Sequence, residues 1–143
     1  MTPKEYLQQY RHAADRARAA IEHLEELQSM ATRITPLYGG ESSGGNHQSG
    51  DEKICNAVDK IIEAKNRVSD ELEMLEATDR DVIGTIDKIT DGTLHTLLYE
   101  RYINGKTWEQ IAVQMNYTYR RVTQLHGKAL RCIGDLITSK TFP

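Results

Sequence analysis

The sequence predicts an all-α protein: an N-terminal antiparallel helical hairpin, coiled-coil-like, followed by a C-terminal helix-turn-helix bundle. Three observations predict it. Apolar residues recur every three or four positions along most of the chain, which is the period of one helix face. Helix start and stop signals bracket those stripes. Only three prolines interrupt 143 residues, of which 38% are hydrophobic and 27% charged, a balance that suits a soluble helical protein with a modest core.

The first helix opens at Thr2-Pro3, with Pro at the first helical position, where its missing N–H costs nothing. Tyr6, Tyr10, Ala13, Ala17, Ile21, Leu24, Leu27 and Met30 form its stripe, opposite Arg11, Asp15, Arg16, Arg18, Glu22, Glu25 and Glu26. The amphipathic pattern ends near residue 31. Residues 32–50 contain Pro36 and a Gly/Ser-rich run without periodicity, the signature of a flexible connection. A second helix is expected over about 51–77. Ile54, Val58, Ile61, Lys65, Val68, Leu72 and Leu75 keep a four-three spacing there, a coiled-coil seam with a lysine in it. The simplest partner is the first helix. A second copy of the chain would also satisfy it, because a two-helix hairpin has little core of its own. Residues 1–77 thus form a first domain and 78–143 a second.

In the second domain, Thr78 opens a short helix carrying Val82, Ile86 and Ile89, which Asp91-Gly92-Thr93 ends. Leu94, Leu97, Leu98, Tyr102 and Ile103 form the next, stopped by Asn104-Gly105. Thr107 and Gln110 make a Thr-x-x-Gln capping box ahead of Ile111, Ala112 and Met115. Asn116 suits a sharp left-handed turn. Thr118 is the next N-cap, and Val122, Leu125, Ala129, Ile133 and Leu136 continue at helical spacing. Two helices joined by a three- to four-residue turn are the sequence form of a helix-turn-helix. Ala112 is the small residue at the helix crossing, Tyr117 the plug of the turn, and Val122 and Leu125 the residues pointing back.

The other side of the last helix carries groups suited to a DNA groove. Tyr119, Arg120, Thr123 and Gln124 are candidates for base edges. Lys106, Thr118, Arg121, Lys128 and Arg131 are candidates for phosphates. Charge distribution agrees. From Asp91 to Pro143 seven Lys or Arg face four acids, a balance of +3, which leaves −6 for residues 1–90 of a chain at −3. A basic half joined to an acidic half fits a DNA-binding unit with a protein-contacting partner. Gly127 interrupts the helix at a cost of about 1 kcal/mol relative to Ala.

These residues resemble region 4 of the sigma-70 family, the C-terminal helix-turn-helix of bacterial transcription initiation factors. The matching positions are Thr118, Arg121, Val122, Gln124-Leu125 and Lys128-Ala129-Leu130-Arg131. Upstream, Leu98, Arg101-Tyr102, Gly105, Trp108-Glu109 and Ile111-Ala112 are similar to its preceding helices. The resemblance covers about residues 79–137. The whole layout looks like the small sigma-like regulators of phages and prophages. It implies sequence-specific binding of double-stranded DNA in transcription, contact with RNA polymerase as an alternative or added role, and a cytoplasmic setting in a bacterial host. The recognition helix opens Thr118-Tyr119-Arg120-Arg121 where the family often has Thr-Arg-Glu-Arg, and Thr123 stands where an Arg commonly precedes the Gln. A different target sequence is therefore expected, and a full sigma factor is not.

Other classes find little support in the residues. No apolar run approaches the ~20 residues of a membrane span, and no signal-peptide pattern is present at residue 1. Cys55 and Cys132 lack metal or redox spacing and read as reduced core residues. His12, His23, His47, His95 and His126 show no metal-ligand spacing, and no nucleophile motif occurs. No enzyme activity, metal or cofactor is expected. His126 reads as a polar surface residue of the last helix.

Overall fold

The computed structural model describes residues 1–39 and 47–141. The protein is all-α, with no strand among those residues. Helix α1 spans Pro3–Gly39, α2 His47–Ile86, α3 Gly92–Leu98, α4 Trp108–Met115 and α5 Tyr119–Thr141. One π turn, Tyr99–Ile103, continues α3.

Both long helices exceed their sequence-predicted lengths. α1 passes residue 31 and carries Pro36 to end at Gly39. The connection expected over 32–50 contracts accordingly, and residues 40–46 lie outside the described residues. α2 absorbs both the helix expected over 51–77 and the one expected from Thr78. Thr78 lies inside α2 and is not an N-cap, because a capping residue opens a helix only where the preceding chain stops being helical. No Gly or Pro stands near it, and an Arg80–Glu76 ion pair of 2.8 Å spans the expected junction at i,i+4 spacing.

The chain divides into two compact units, residues 15–74 and residues 1–14 with 75–143. In the first, α1 and α2 run antiparallel. Arg16 meets Glu71 through two hydrogen bonds of 2.9 and 3.1 Å, while Leu27 and Ala31 share a groove with Lys53, Ala57 and Lys60. The seam differs from the expected one. Ala57, Ile61, Ala64, Val68 and Glu71 are buried or half-buried. Ile54, Val58 and Leu72 are 38%, 48% and 44% exposed, and Lys65 is exposed too. Alanine explains the rotation: Ala17 and Ala20 of α1 are buried, as is Ala64 of α2, and helix backbones approach closely only where side chains are small. Glu71 enters that seam because Arg16 neutralises it. The Arg16 hydrogen bond holds the Glu71 carboxyl below its ordinary range. Cys55, expected in a core, is exposed, and Cys132 is half-buried.

The second unit has the true hydrophobic core. Its fully buried side chains include Leu7, Val82, Ile86, Leu97, Leu98, Ile111, Val122 and Ile133. α5 packs against both α3 and α4. The first turns of α1, which the sequence reading assigns to the hairpin domain, supply Leu7 and Tyr6 to this core. A Thr2–Glu5 capping box fixes the start of α1, with bonds of 2.9 and 3.1 Å. The Tyr6 hydroxyl lies 2.8 Å from Thr85 Oγ1 and 3.1 Å from the Asp81 carbonyl, so the buried Thr85 is satisfied. Gly134 lets Pro3 close on α5, since a Cβ there would stand 3.3 Å from the proline ring. Asp91 caps α3 by accepting from Thr93 and Leu94 N–H.

Candidate nucleic-acid interface

α4 begins on the capping box that the sequence predicts. Thr107 Oγ1 accepts from Gln110 N at 3.2 Å, and Gln110 Oε1 accepts from Thr107 N at 2.9 Å. Ile111 and Ala112 are buried and Met115 packs at the edge of the core. Asn116 then adopts φ 59°, ψ 39°, the left-handed conformation. Its N–H reaches the Val113 carbonyl, and Tyr117 N–H reaches the Ala112 carbonyl at 3.0 Å. This pair of bonds is a Schellman motif with Asn in the usual glycine place. Thr118 accepts from Arg121 N at 3.1 Å and so caps α5. Tyr117 does not plug the turn: it is 38% exposed. Ala112, Val122 and Leu125 fill the crossing instead, all buried.

Val122, Leu125, Ala129 and Ile133 hold α5 to the core. That fixes what faces solvent. Tyr119, Arg120, Arg121, Thr123, Gln124, Lys128 and Arg131 are all exposed. At 3.6 residues per turn, Arg120, Gln124 and Arg131 share a line along the helix. Tyr119 and Thr123 flank it on one side, Arg121 and Lys128 on the other. Among the described residues none of the four cations is ion-paired. Thr123 Oγ1 donates to the Tyr119 carbonyl at 3.0 Å.

Gly127 lies among these residues, and a Cβ on it would meet nothing within 4 Å. Among the described residues the glycine therefore serves no packing. Gly127→Ala should raise stability by about 1 kcal/mol through helix propensity. A denaturation midpoint unchanged or lowered relative to the parent would contradict this.

Lys106 stands apart from the other phosphate candidates. Its Nζ pairs with Glu100 and donates to Gln114 Oε1 at 2.6 Å. The Lys106 hydrogen bond holds the half-buried Glu100 carboxyl below its ordinary range, against desolvation. Lys106 is thus occupied in closing the loop before α4. Gly105 turns that loop at φ 71°.

His126 is not the polar surface residue that the sequence suggests. Its Nε2 shares a 2.7 Å hydrogen bond with the Tyr102 hydroxyl. Its ring centroid lies 4.4 Å from that of Trp108, and Arg101 Cζ sits 4.5 Å over the Trp108 ring. Arg101, Trp108, His126 and Tyr102 together buttress α5 from behind. Burial, then the charges of Lys4 and Arg101, push the imidazole from 6.5 down to about 4. Burial pushes the Tyr102 hydroxyl up to about 12. The unfolded chain takes up a proton on this histidine near 6.5 and the folded chain only near 4. The folded state is therefore favoured fully above that window and loses stability as pH falls through it. His126→Gln should flatten the fall. Parallel pH–stability curves for parent and variant would exclude the assignment.

No family model, curated protein or solved structure matches the chain. The likeness to sigma-70 region 4 therefore rests on the residues quoted from the sequence. Among the described residues no helix is long and apolar enough to cross a membrane, and no group of His, Cys, Asp and Glu is placed to hold a metal.

Proposed function

We propose that the C-terminal unit binds double-stranded DNA in a sequence-specific way through the exposed face of α5, as a transcriptional regulator of the small sigma-like phage type. The observation that carries this reading is that face: Tyr119, Arg120, Arg121, Thr123 and Gln124 in the first turns of a helix that follows a capped tight turn, with Lys128 and Arg131 further along it and, among the described residues, none of the four cations ion-paired. A recognition helix in the major groove needs this arrangement, with its first turns toward the bases. Gln124 offers a bidentate amide to adenine, Arg120 a fork to guanine, and Thr123 a methyl to thymine. Thr118, Arg121, Lys128 and Arg131 take phosphates on either side. With so few cations, binding by one chain is weak and strongly salt-dependent.

A second reading has its own observation. Val113 on α4 is 79% exposed and Tyr119 is 55% exposed, so apolar surface stands beside the turn. Docking of this unit on RNA polymerase would cover it.

Selection from a randomised duplex pool by the purified chain tests the proposal. A recovered motif supports a specific DNA binder. Retention without any motif assigns sequence choice to a partner such as polymerase. No retained duplex at low salt rejects DNA binding.

A further inference from the structure

A pocket of about 290 Å³ in the C-terminal unit is lined by Lys4, Gln8 and Arg11 of α1 and by Arg101, Tyr102 and Gly105. Three of these side chains are cationic and none is a carboxylate. Arg11 and Arg101 are half-buried. Removing a guanidinium from water is costly unless it is paired. Yet among the described residues neither of them, nor Lys4, forms an ion pair.

Each guanidinium is instead fixed by a backbone carbonyl. Arg11 Nη2 donates to Ile103 O at 2.9 Å, and Arg101 Nη1 donates to Lys106 O at 3.0 Å while its plane covers Trp108. A guanidinium carries five N–H donors, so both keep donors in reserve in a fixed orientation. Gly105 permits the arrangement, because any Cβ there would collide with the Arg11 guanidinium. Two preoriented forks and one mobile ammonium around a small space match a compact polyanion with several acceptor oxygens.

We propose that this pocket holds a phosphate group. Tyr102, which lines the pocket, is hydrogen-bonded to His126 of α5 at 2.7 Å, so the pocket lies beside that helix, on the side away from its line of Arg120, Gln124 and Arg131. A backbone phosphate of a bound nucleic acid is one source, and that source rests on the DNA reading above. A free phosphorylated small molecule is the other source of the same chemistry. The site also gives a physical reason for the first turns of α1 to pack with the C-terminal unit: they complete its charge.

The test uses the full chain and Lys4→Glu, an exposed position whose reversal leaves the core untouched, with circular dichroism as the fold control. One arm titrates inorganic phosphate at constant ionic strength and follows the Gly105 amide and the Arg11 and Arg101 Nε–H resonances. The other measures binding of a random-sequence duplex across salt. Saturable shifts that vanish in Lys4→Glu support the site. So does a several-fold loss of duplex affinity with a salt slope lower by about one. A duplex effect assigns the pocket to a nucleic-acid phosphate. Phosphate shifts without duplex binding keep the pocket, assign it to a free phosphate compound and reject the DNA reading. Pocket resonances indifferent to phosphate, together with duplex binding absent or unchanged in Lys4→Glu, overturn the proposal.

Discussion

Leu7→Ala should destabilise the C-terminal unit by about 2–5 kcal/mol, although residue 7 lies far from that unit in sequence. Leu7 is fully buried in the cluster that holds Val82, Ile86, Leu98 and Ile133. Truncation removes its transfer free energy and leaves a cavity that a helical core closes only in part. Trp108 is the single tryptophan and belongs to this unit, so its fluorescence reports the unit's own unfolding. The urea midpoint read by Trp108 should fall sharply. Ile62→Ala, at a 51% exposed site in the other unit, should leave it nearly unmoved. Equal midpoints for Leu7→Ala and the parent would detach α1 from this core. The same argument bears on any fragment starting at residue 78: it lacks Leu7 and Tyr6, and should expose apolar surface where they belong.

That result also marks where the sequence was legible. Between Thr107 and Ile133 the two caps, the left-handed Asn116 and the apolar stripe follow from local signals, whereas the places of Tyr117 and His126 do not. A capping box, an asparagine able to take positive φ, a second cap and a 3.6-residue stripe all act within a few positions of themselves. Local signals mislead where distant residues decide. Thr78 has a good capping side chain, but nothing stops the helix before it. The stripe of Ile54, Val58 and Leu72 is the more apolar one, yet the partner helix presents alanines and selects the face with Ala57 and Ala64. Lys106 looks like a free cation until Glu100 is brought to it. His126 looks polar and exposed until Tyr102 and Trp108 cover it. A signal for that last case was present: His126 follows Leu125 directly, on the flank of the apolar stripe.

Arg120→Glu together with Arg121→Glu should lower duplex affinity by about 10²–10⁴-fold at moderate salt. Each arginine, on the DNA reading, makes a charge-assisted hydrogen bond worth about 1.5–3 kcal/mol, and each glutamate adds repulsion from the phosphates. The fold should survive, because both side chains are exposed and neither is ion-paired among the described residues. Two glutamates in the first turn of α5 also suit the positive end of the helix dipole. An unchanged urea midpoint beside lost binding would therefore isolate the face from the fold. Anisotropy titrations at several salt concentrations distinguish the readings further. Phosphate contact by Arg121 predicts that the double variant flattens the salt slope by about one, while loss of the Arg120 fork removes a base contact. Retained duplex binding with the parent's slope would place the DNA contacts elsewhere and overturn the assignment of Arg120 and Arg121.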